Sequence, residues 1–238
     1  MHLVRIRIHG DSFPTRRFYP FNIPALEKTA ELILKGPVVF FVGENGSGKS
    51  TLLDAVVRRC GVQVWDSPRR HLAHRNPYET KLADFVSVTW ANGRVPGSLF
   101  RAETFRDWAD FLDDVALCDP GRLQHHGGRI LNTMSRGEGI LSYMRGRFSV
   151  SGLYFLDEPE SALSPLSQIT FLNLLRHFQA KGRAQFIIAT HSPILLACPG
   201  AQILSFDSSH IEEVEYEDTL HFKLYRQFFT ERASLLSV

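Results

Sequence analysis

Nine consecutive residues, Gly43-Glu44-Asn45-Gly46-Ser47-Gly48-Lys49-Ser50-Thr51, constrain the fold of this chain more than any other feature. They match G-x-x-x-x-G-K-[ST], a pattern that has physical meaning between a strand and a helix. Both flanks are present. The apolar run Pro37 to Val42 precedes it and reads as a buried strand, and Leu52-Leu53-Asp54-Ala55-Val56-Val57 follows and reads as the start of a helix. Glycines let such a loop turn tightly, so that successive N–H groups point inward at phosphate oxygens. The helix N-terminus adds partial positive charge. In this pattern Lys49 reaches the β- and γ-phosphates of a nucleotide, and the Ser50 hydroxyl binds Mg²⁺.

A second motif, Ser151 to Glu160, is an apolar strand that ends in two carboxylates. Asp157, at the strand end, suits Mg²⁺, directly or through water. Glu158, next to it, is placed to polarise an attacking water as a general base. A helix is expected from about Pro165 to Lys181, with Leu166, Ile169, Leu172, Leu175 and Phe178 facing inward. Gln185 to Ala189 then reads as a buried strand that leads to His191, and Gln202 to Phe206 as another. Strands separated by helices imply an α/β fold, a mainly parallel sheet with helices on both faces. The glycine loop, Asp157–Glu158 and His191 would all lie at the C-terminal ends of strands, where such sheets bind ligands.

Together these segments resemble an ATP-binding-cassette (ABC) type ATPase, and within it the small bacterial proteins labelled AAA family ATPase. GENGSGKST at Gly43–Thr51, LYFLDEPE at Leu153–Glu160, SALS at Ser161–Ser164 and ATHSPILL at Ala189–Leu196 carry the resemblance, which spans nearly the whole chain. They are similar to the Walker A, Walker B, D-loop and switch segments of that superfamily. The resemblance implies a P-loop NTPase fold with an N-terminal antiparallel β portion and a short helical insert. It implies ATP and Mg²⁺ as ligands, and a role for His191 in contacting the γ-phosphate. It also implies a signature loop that caps the γ-phosphate held by a second subunit. The segment in that place is Met134-Ser135-Arg136-Gly137-Glu138; Ser135 and Gly137 match the serine and second glycine of LSGGQ, and Arg136 and Glu138 depart from it. Ser135 at an N-cap and the N–H of Gly137 would still serve an anion.

Two further family features have looser matches. An aromatic upstream of the phosphate loop often stacks on adenine; Tyr19 and Phe21 are candidates, with core packing beside a proline turn as the other reading. Arg16 and Arg17 are equally candidates to lie near the nucleotide, and the residues alone leave that open. The strand-end glutamine of ABC enzymes has no clear counterpart. Gln63 comes too soon after the phosphate helix, and Glu103, after the Leu99–Ala102 run, is the better positional match.

The chain has 238 residues, enough for one α/β domain with a sizeable core. One domain over 1–238 is expected, with residues 61–147 as its insert. In that stretch Asp84 to Trp90 alternates like a strand before the turn Ala91-Asn92-Gly93, and Ser98 to Ala102 reads as another. Glu103 to Leu117 places Phe105, Trp108, Ala109, Leu112, Val115 and Ala116 on one helical face, a core stripe. The N-terminus, Met1 to Ile8, alternates like a strand and lacks the apolar run of a signal peptide. A net charge of +2 is too small to imply a nucleic-acid partner. Cys60, Cys118 and Cys198 are scattered without metal spacing and read as reduced thiols. No stretch is long and apolar enough to span a membrane, so a cytoplasmic protein is expected. Arg69-Arg70-His71 with His74-Arg75 reads as a solvated basic loop, with contact to nucleic acid or an acidic partner as the other reading, and His125-His126 lacks the companions of a metal site.

The function expected is ATP hydrolysis at a composite site in an ATP-dependent homodimer, coupled to an effector protein or nucleic acid in repair or defence. The alternative is the nucleotide-binding subunit of a transporter. The imperfect signature and missing strand-end glutamine weigh against that alternative, and intact Lys49, Asp157 and Glu158 weigh against a non-enzymatic scaffold.

Overall fold

Two sheets share one chain in this computed structural model, which describes residues 1–62, 64, 76–121, 123 and 128–236. Gln63, the basic cluster at Arg69–Arg75 and the His125-His126 pair lie outside the described residues. In chain order the elements are β1 (Leu3–Ile8), α1 (Pro24–Lys28), β2 (Glu31–Ile33), β3 (Val38–Val42), α2 (Lys49–Arg59), β4 (Val86–Trp90), β5 (Gly97–Arg101) and α3 (Phe105–Cys118). They continue with α4 (Arg136–Arg147), β6 (Gly152–Asp157), α5 (Pro165–Ala180), β7 (Ala184–Ala189), α6 (Pro193–Leu196), β8 (Gln202–Ser205), β9 (Glu212–Glu213) and α7 (Leu220–Leu236).

The larger sheet runs β5-β6-β7-β3-β8-β9, parallel throughout except for the last short strand. β3 is buried at every position, which only a central strand covered on both faces tolerates. Its two-residue period divides it between two cores. Val39 and Phe41 join one cluster with Leu52, Leu53, Val56 and Val57 of α2 and with Leu3 and Ile6 of β1. Val38, Phe40 and Val42 join the other, with Phe105 and Leu112 of α3, Ile140 and Met144 of α4, and Phe171 and Leu175 of α5. The smaller sheet, β2-β1-β4, is antiparallel and lies against the first core. This is the α/β architecture expected from the motifs, with α2 between the two sheets and α3, α4 and α5 on the other side.

The two sheets are tied by buried amides. Gln185, on β7 and fully buried, accepts from the N–H groups of His2 (2.8 Å) and Leu3 (2.7 Å) and donates to the Leu3 carbonyl (2.9 Å). Gln202, on β8, accepts from the Lys35 N–H (3.0 Å) and donates to the Ile33 carbonyl (3.0 Å). The strands that carry them flank β3 on either side, so both edges of the N-terminal segment are fastened to the parallel sheet.

Several expectations shift. β4 begins at Val86 because Lys81 to Phe85 form a 3₁₀ turn. The α5 stripe is corrected: Leu166 (74% exposed) and Ile169 (49%) face out, and the buried face is Phe171, Leu175 and Phe178. The inward face of α5 is therefore set by its later turns. The α3 stripe holds at Phe105, Ala109, Leu112 and Ala116, joined by buried Asp113, whose carboxylate accepts from the N–H groups of Leu131 and Asn132 at 2.8 Å each. α1, β2 and α7 had no counterpart in the sequence reading.

Replacement of Gln185 by Met keeps the volume and strips three backbone groups of their partner. Each unpaired buried group costs about 1–3 kcal/mol, so Gln185→Met is expected to lower stability by about 3 kcal/mol. Urea denaturation checks this: the midpoint should fall without a change in slope.

Candidate functional site

The Gly43–Thr51 segment turns between β3 and α2 as the pattern requires. Gly46 (φ 82°) and Gly48 (φ 106°) occupy left-handed backbone that L side chains rarely adopt, and a Cβ on Gly48 would sit 3.0 Å from Ile23. The loop is closed by Ser47 N–H to the Glu44 carbonyl (3.2 Å) and pinned by Glu44 N–H to Asp207 Oδ1 (2.8 Å). Glu44 and Asn45 are exposed, while Gly48 and Lys49 are buried. Lys49 Nζ donates to the carbonyls of Gly43 (2.7 Å) and Glu44 (2.9 Å). Burial holds the Lys49 ammonium below its ordinary pKa, and the carboxylates of Glu158, Asp207, Asp157 and Glu160 oppose that shift. The Ser47 hydroxyl is buried and has no hydrogen-bond partner among the described residues.

The second carboxylate motif meets this loop directly. Ser50 Oγ donates to Asp157 Oδ1 at 2.7 Å across 107 residues of chain. β6 and β3 both pair with β7, which brings the ends of three neighbouring strands to one edge. Burial raises the Asp157 pKa, against the hydrogen bond from Ser50 and the nearby Arg101. Arg101 was not anticipated. It ends β5, in register with Asp157, lies 3.6 Å from Asp157 Oδ2 and also pairs with Asp54. From this strand end it is Arg101 that stands beside the Walker-B-like aspartate; Glu103 follows two residues later.

Glu158 adopts left-handed backbone (φ 46°, ψ 54°), unusual for a residue with a side chain. Its N–H donates to the Ala189 carbonyl (2.9 Å), and its carbonyl accepts from Ser161 N–H (3.1 Å). This kink turns its half-exposed carboxylate toward His191, whose Nε2 lies 3.4 Å from Glu158 Oε1. The His191 backbone N–H donates to Glu160 Oε1 (2.6 Å), so the acidic motif grips the ATHSPILL segment twice. Burial lowers the His191 pKa, reinforced by Lys49 and His221 and opposed by Glu158. The remaining ring nitrogen of His191, Nδ1, lies 3.2 Å from Nε2 of His221, in α7. That neighbour was also missed; nothing in the local pattern around His221 marks it.

The signature-like segment opens α4 with a full capping box. Ser135 Oγ accepts from Glu138 N–H (3.4 Å), and Glu138 accepts from Ser135 N–H (3.1 Å). Ser135 is exposed, and Gly137 faces Ala162 and Leu163 of the D-loop-like stretch and Ser167 of α5. Beside the phosphate loop lies an open groove of about 500 Å³, lined by Tyr19, Ile23, Gly46, Ser47, Phe206 and Asp207. Tyr19 is 44% exposed and its hydroxyl meets Thr51 Oγ1 at 3.0 Å. Phe21 is fully buried among Phe13, Tyr78 and Phe85, which removes it as a stacking platform. Arg16 is paired with Glu27 at 2.5 Å. Among the described residues no three His, Cys, Asp or Glu side chains form a metal cluster, and no helix is long and apolar enough to cross a membrane.

Residues 138–197 match a family model described as "AAA domain, putative AbiEii toxin, Type IV TA system". The high-affinity branched-chain amino acid transport ATP-binding protein BraG of Pseudomonas aeruginosa is 28% identical over 191 residues, covering 74% of this chain and 80% of that protein. The energy-coupling factor transporter ATP-binding protein EcfA1 of Bacillus subtilis is 28% identical over 203 residues, covering 70% of this chain and 63% of its own. Some relatives are much longer: the chain spans 30% of ABC transporter G family member 12 of Dictyostelium discoideum. Among solved structures, an ATP-binding cassette of an ABC transporter in its ADP conformation gives a TM-score of 0.56 at 15% identity, over 97% of this chain and 100% of that one. The SMC head domain from Thermotoga maritima gives 0.51 at 14% identity, over 90% and 99%. The structural likenesses are of fold.

Removing the Lys49 ammonium takes away a buried cation aimed at the mouth of the loop. Lys49→Ala is expected to weaken ATP binding about 100-fold, the scale of deleting one partner of a buried charged hydrogen bond. Isothermal titration with ATP and Mg²⁺ reads it, and unchanged affinity in a folded variant would put the nucleotide elsewhere.

Proposed function

We propose that the chain is an ABC-type ATPase that hydrolyses ATP at a site shared by two copies of itself, a reading supported by its similarity to ATP-binding proteins of that type. The observation that supports this most directly is the convergence of Lys49, Ser50, Asp157, Glu158 and His191 at the ends of three adjacent strands. Ser50 Oγ and Asp157 Oδ1 form a pair of hard oxygen donors that fits Mg²⁺, which takes few protein ligands and completes its shell with phosphate and water. When bound, that ion would offset the charge of the phosphate chain.

The chain's own groups do the rest. Backbone N–H groups of the Gly43–Thr51 loop other than those of Glu44 and Ser47 cradle the phosphates, with the Ser47 hydroxyl as a further donor. Lys49 exchanges the Gly43 and Glu44 carbonyls for phosphate oxygens. Glu158 accepts a proton from water as the water oxygen attacks the γ-phosphorus and the bond to the β-phosphate oxygen breaks, leaving ADP and phosphate. His191 donates from Nε2 to the γ-phosphate. Ser135 and the Gly137 N–H of the second copy close the site over the γ-phosphate, so two ATP molecules are sandwiched head to tail. The pair closes with ATP and opens after hydrolysis.

Two couplings of that cycle compete. The curated relatives are mainly ATP-binding proteins of transport systems, which supports a transporter's nucleotide-binding subunit over the effector-coupled ATPase expected from the sequence. The effector reading retains the support of the family match at residues 138–197, whose description names a toxin system.

Glu158→Gln keeps size and hydrogen bonding and removes the base. Phosphate release should fall by about 100-fold or more while ATP still binds. Size-exclusion light scattering with ATP and Mg²⁺ should show this variant as a dimer, and a strict monomer at high concentration would count against the sandwich.

Ser135→Arg should spare ATP binding to a single chain and abolish hydrolysis, because a bulky cation displaces the donors meant for the γ-phosphate. Mixed with Glu158→Gln before ATP is added, it forms heterodimers with one doubly damaged site and one intact site. Partial phosphate release should return in the mixture although neither variant is active alone. If labelled subunits exchange and no activity returns, Met134 to Glu138 serves as a helix cap only.

A further inference from the structure

His191 has a partner from the far end of the chain. His221 is the second residue of α7, and its Nε2 lies 3.2 Å from Nδ1 of His191. The start of α7 is held in place. Buried Thr219 donates to the Tyr216 carbonyl (2.7 Å) and accepts from Phe222 N–H (3.2 Å), and the Tyr216 hydroxyl donates to the carbonyl of Pro193 (3.0 Å), two residues after His191. Tyr216 and Phe222 pack with ring centroids 4.7 Å apart. Thus His221 and the segment that carries His191 are fixed to one another by backbone, hydroxyl and aromatic contacts.

Two arrangements of protons satisfy the bond between the rings. In one, His191 donates from Nδ1. Its Nε2 is then a bare lone pair facing the Glu158 carboxylate at 3.4 Å, and His221 is left with a buried Nδ1–H that has no acceptor among the described residues. In the other, His221 donates from Nε2. His191 then carries its proton on Nε2, where it makes no hydrogen bond among the described residues but faces the Glu158 carboxylate at 3.4 Å, and His221 Nδ1 is a bare nitrogen. Each arrangement leaves one buried ring N–H without a hydrogen bond, but the first sets a lone pair against the Glu158 carboxylate and the second sets an N–H there, so the second arrangement wins. Burial lowers the pKa of both rings, which favours the neutral forms in which this choice arises.

We propose that His221 is a positioning residue for ATP hydrolysis: it donates to Nδ1 of His191 and so holds the His191 proton on Nε2, the nitrogen that faces Glu158 and the γ-phosphate. This rests on the reading of the site as an ATPase centre. His191 is thereby wired to α7, and a His191 ring in the wrong tautomer presents no donor to phosphate from Nε2.

Long-range ¹H–¹⁵N correlation of the histidine rings in the full chain tests the bond without turnover. The expected result is His191 with a protonated Nε2 and a bare Nδ1; a proton on His191 Nδ1 overturns the proposal. His221→Phe fills the space and has no donor. Its His191 should show a mixture of tautomers, and kcat should fall about tenfold with KM for ATP within about twofold. His221→Gln returns a side-chain N–H at a similar reach and should restore both the His191 signature and kcat. Wild-type kcat in His221→Phe, or a folded His221→Gln variant that behaves like His221→Phe, overturns the role. A wild-type chain that releases no phosphate overturns the ATPase reading instead, and ring protonation then decides the bond by itself.

Discussion

A buried ammonium organises this molecule. Lys49 is 4% exposed and stands at the start of a helix, where the backbone already carries positive potential. Such a charge is tolerated in the interior only with acceptors around it. They come from the loop it belongs to, through the Gly43 and Glu44 carbonyls, and from the fields of Glu158, Asp207, Asp157 and Glu160. Those carboxylates are contributed by β6, by the turn after it and by the segment after β8. The cation therefore draws on strand ends that only the assembled parallel sheet brings together, and site and fold become one electrostatic problem.

What keeps those strand ends in register is packing on both faces of β3. Val39 and Phe41 bind the sheet to α2 and to β1, while Phe40 and Val42 bind it to the helices of the other layer. Gln185 and Gln202 then fasten β1 and β2 to the strands that flank β3. The antiparallel sheet is thus an outer wall behind α2, which backs the phosphate loop with apolar volume and keeps its helix pressed to the parallel sheet.

The sequence made the loop, the two carboxylates and the buried strands visible because each is encoded locally. Glycines mark the turn, a run of buried residues marks a central strand, and acidic residues mark its end. Where contacts come from afar, local pattern was silent. Arg101 reads as an ordinary strand residue until the pairing of β5 with β6 sets it beside Asp157. His221 lies 30 residues from His191 in a helix whose aromatic residues are largely exposed, so no periodic stripe announced either the helix or the contact. Phe21 and Leu166 failed in opposite directions. An aromatic beside a proline was buried by three other rings, and a leucine in phase with a helical stripe was left exposed.

The left-handed backbone at Glu158 carries a consequence for how this protein responds to selection for robustness. A side chain there costs on the order of 1–3 kcal/mol relative to a residue at ease in that conformation. Glycine and asparagine relieve that cost, and both lack a carboxylate. A library screened for heat resistance alone should therefore enrich them at position 158 and return sturdier proteins that have lost the group facing His191. Backbone ease and a carboxylate that faces His191 pull in opposite directions at this residue.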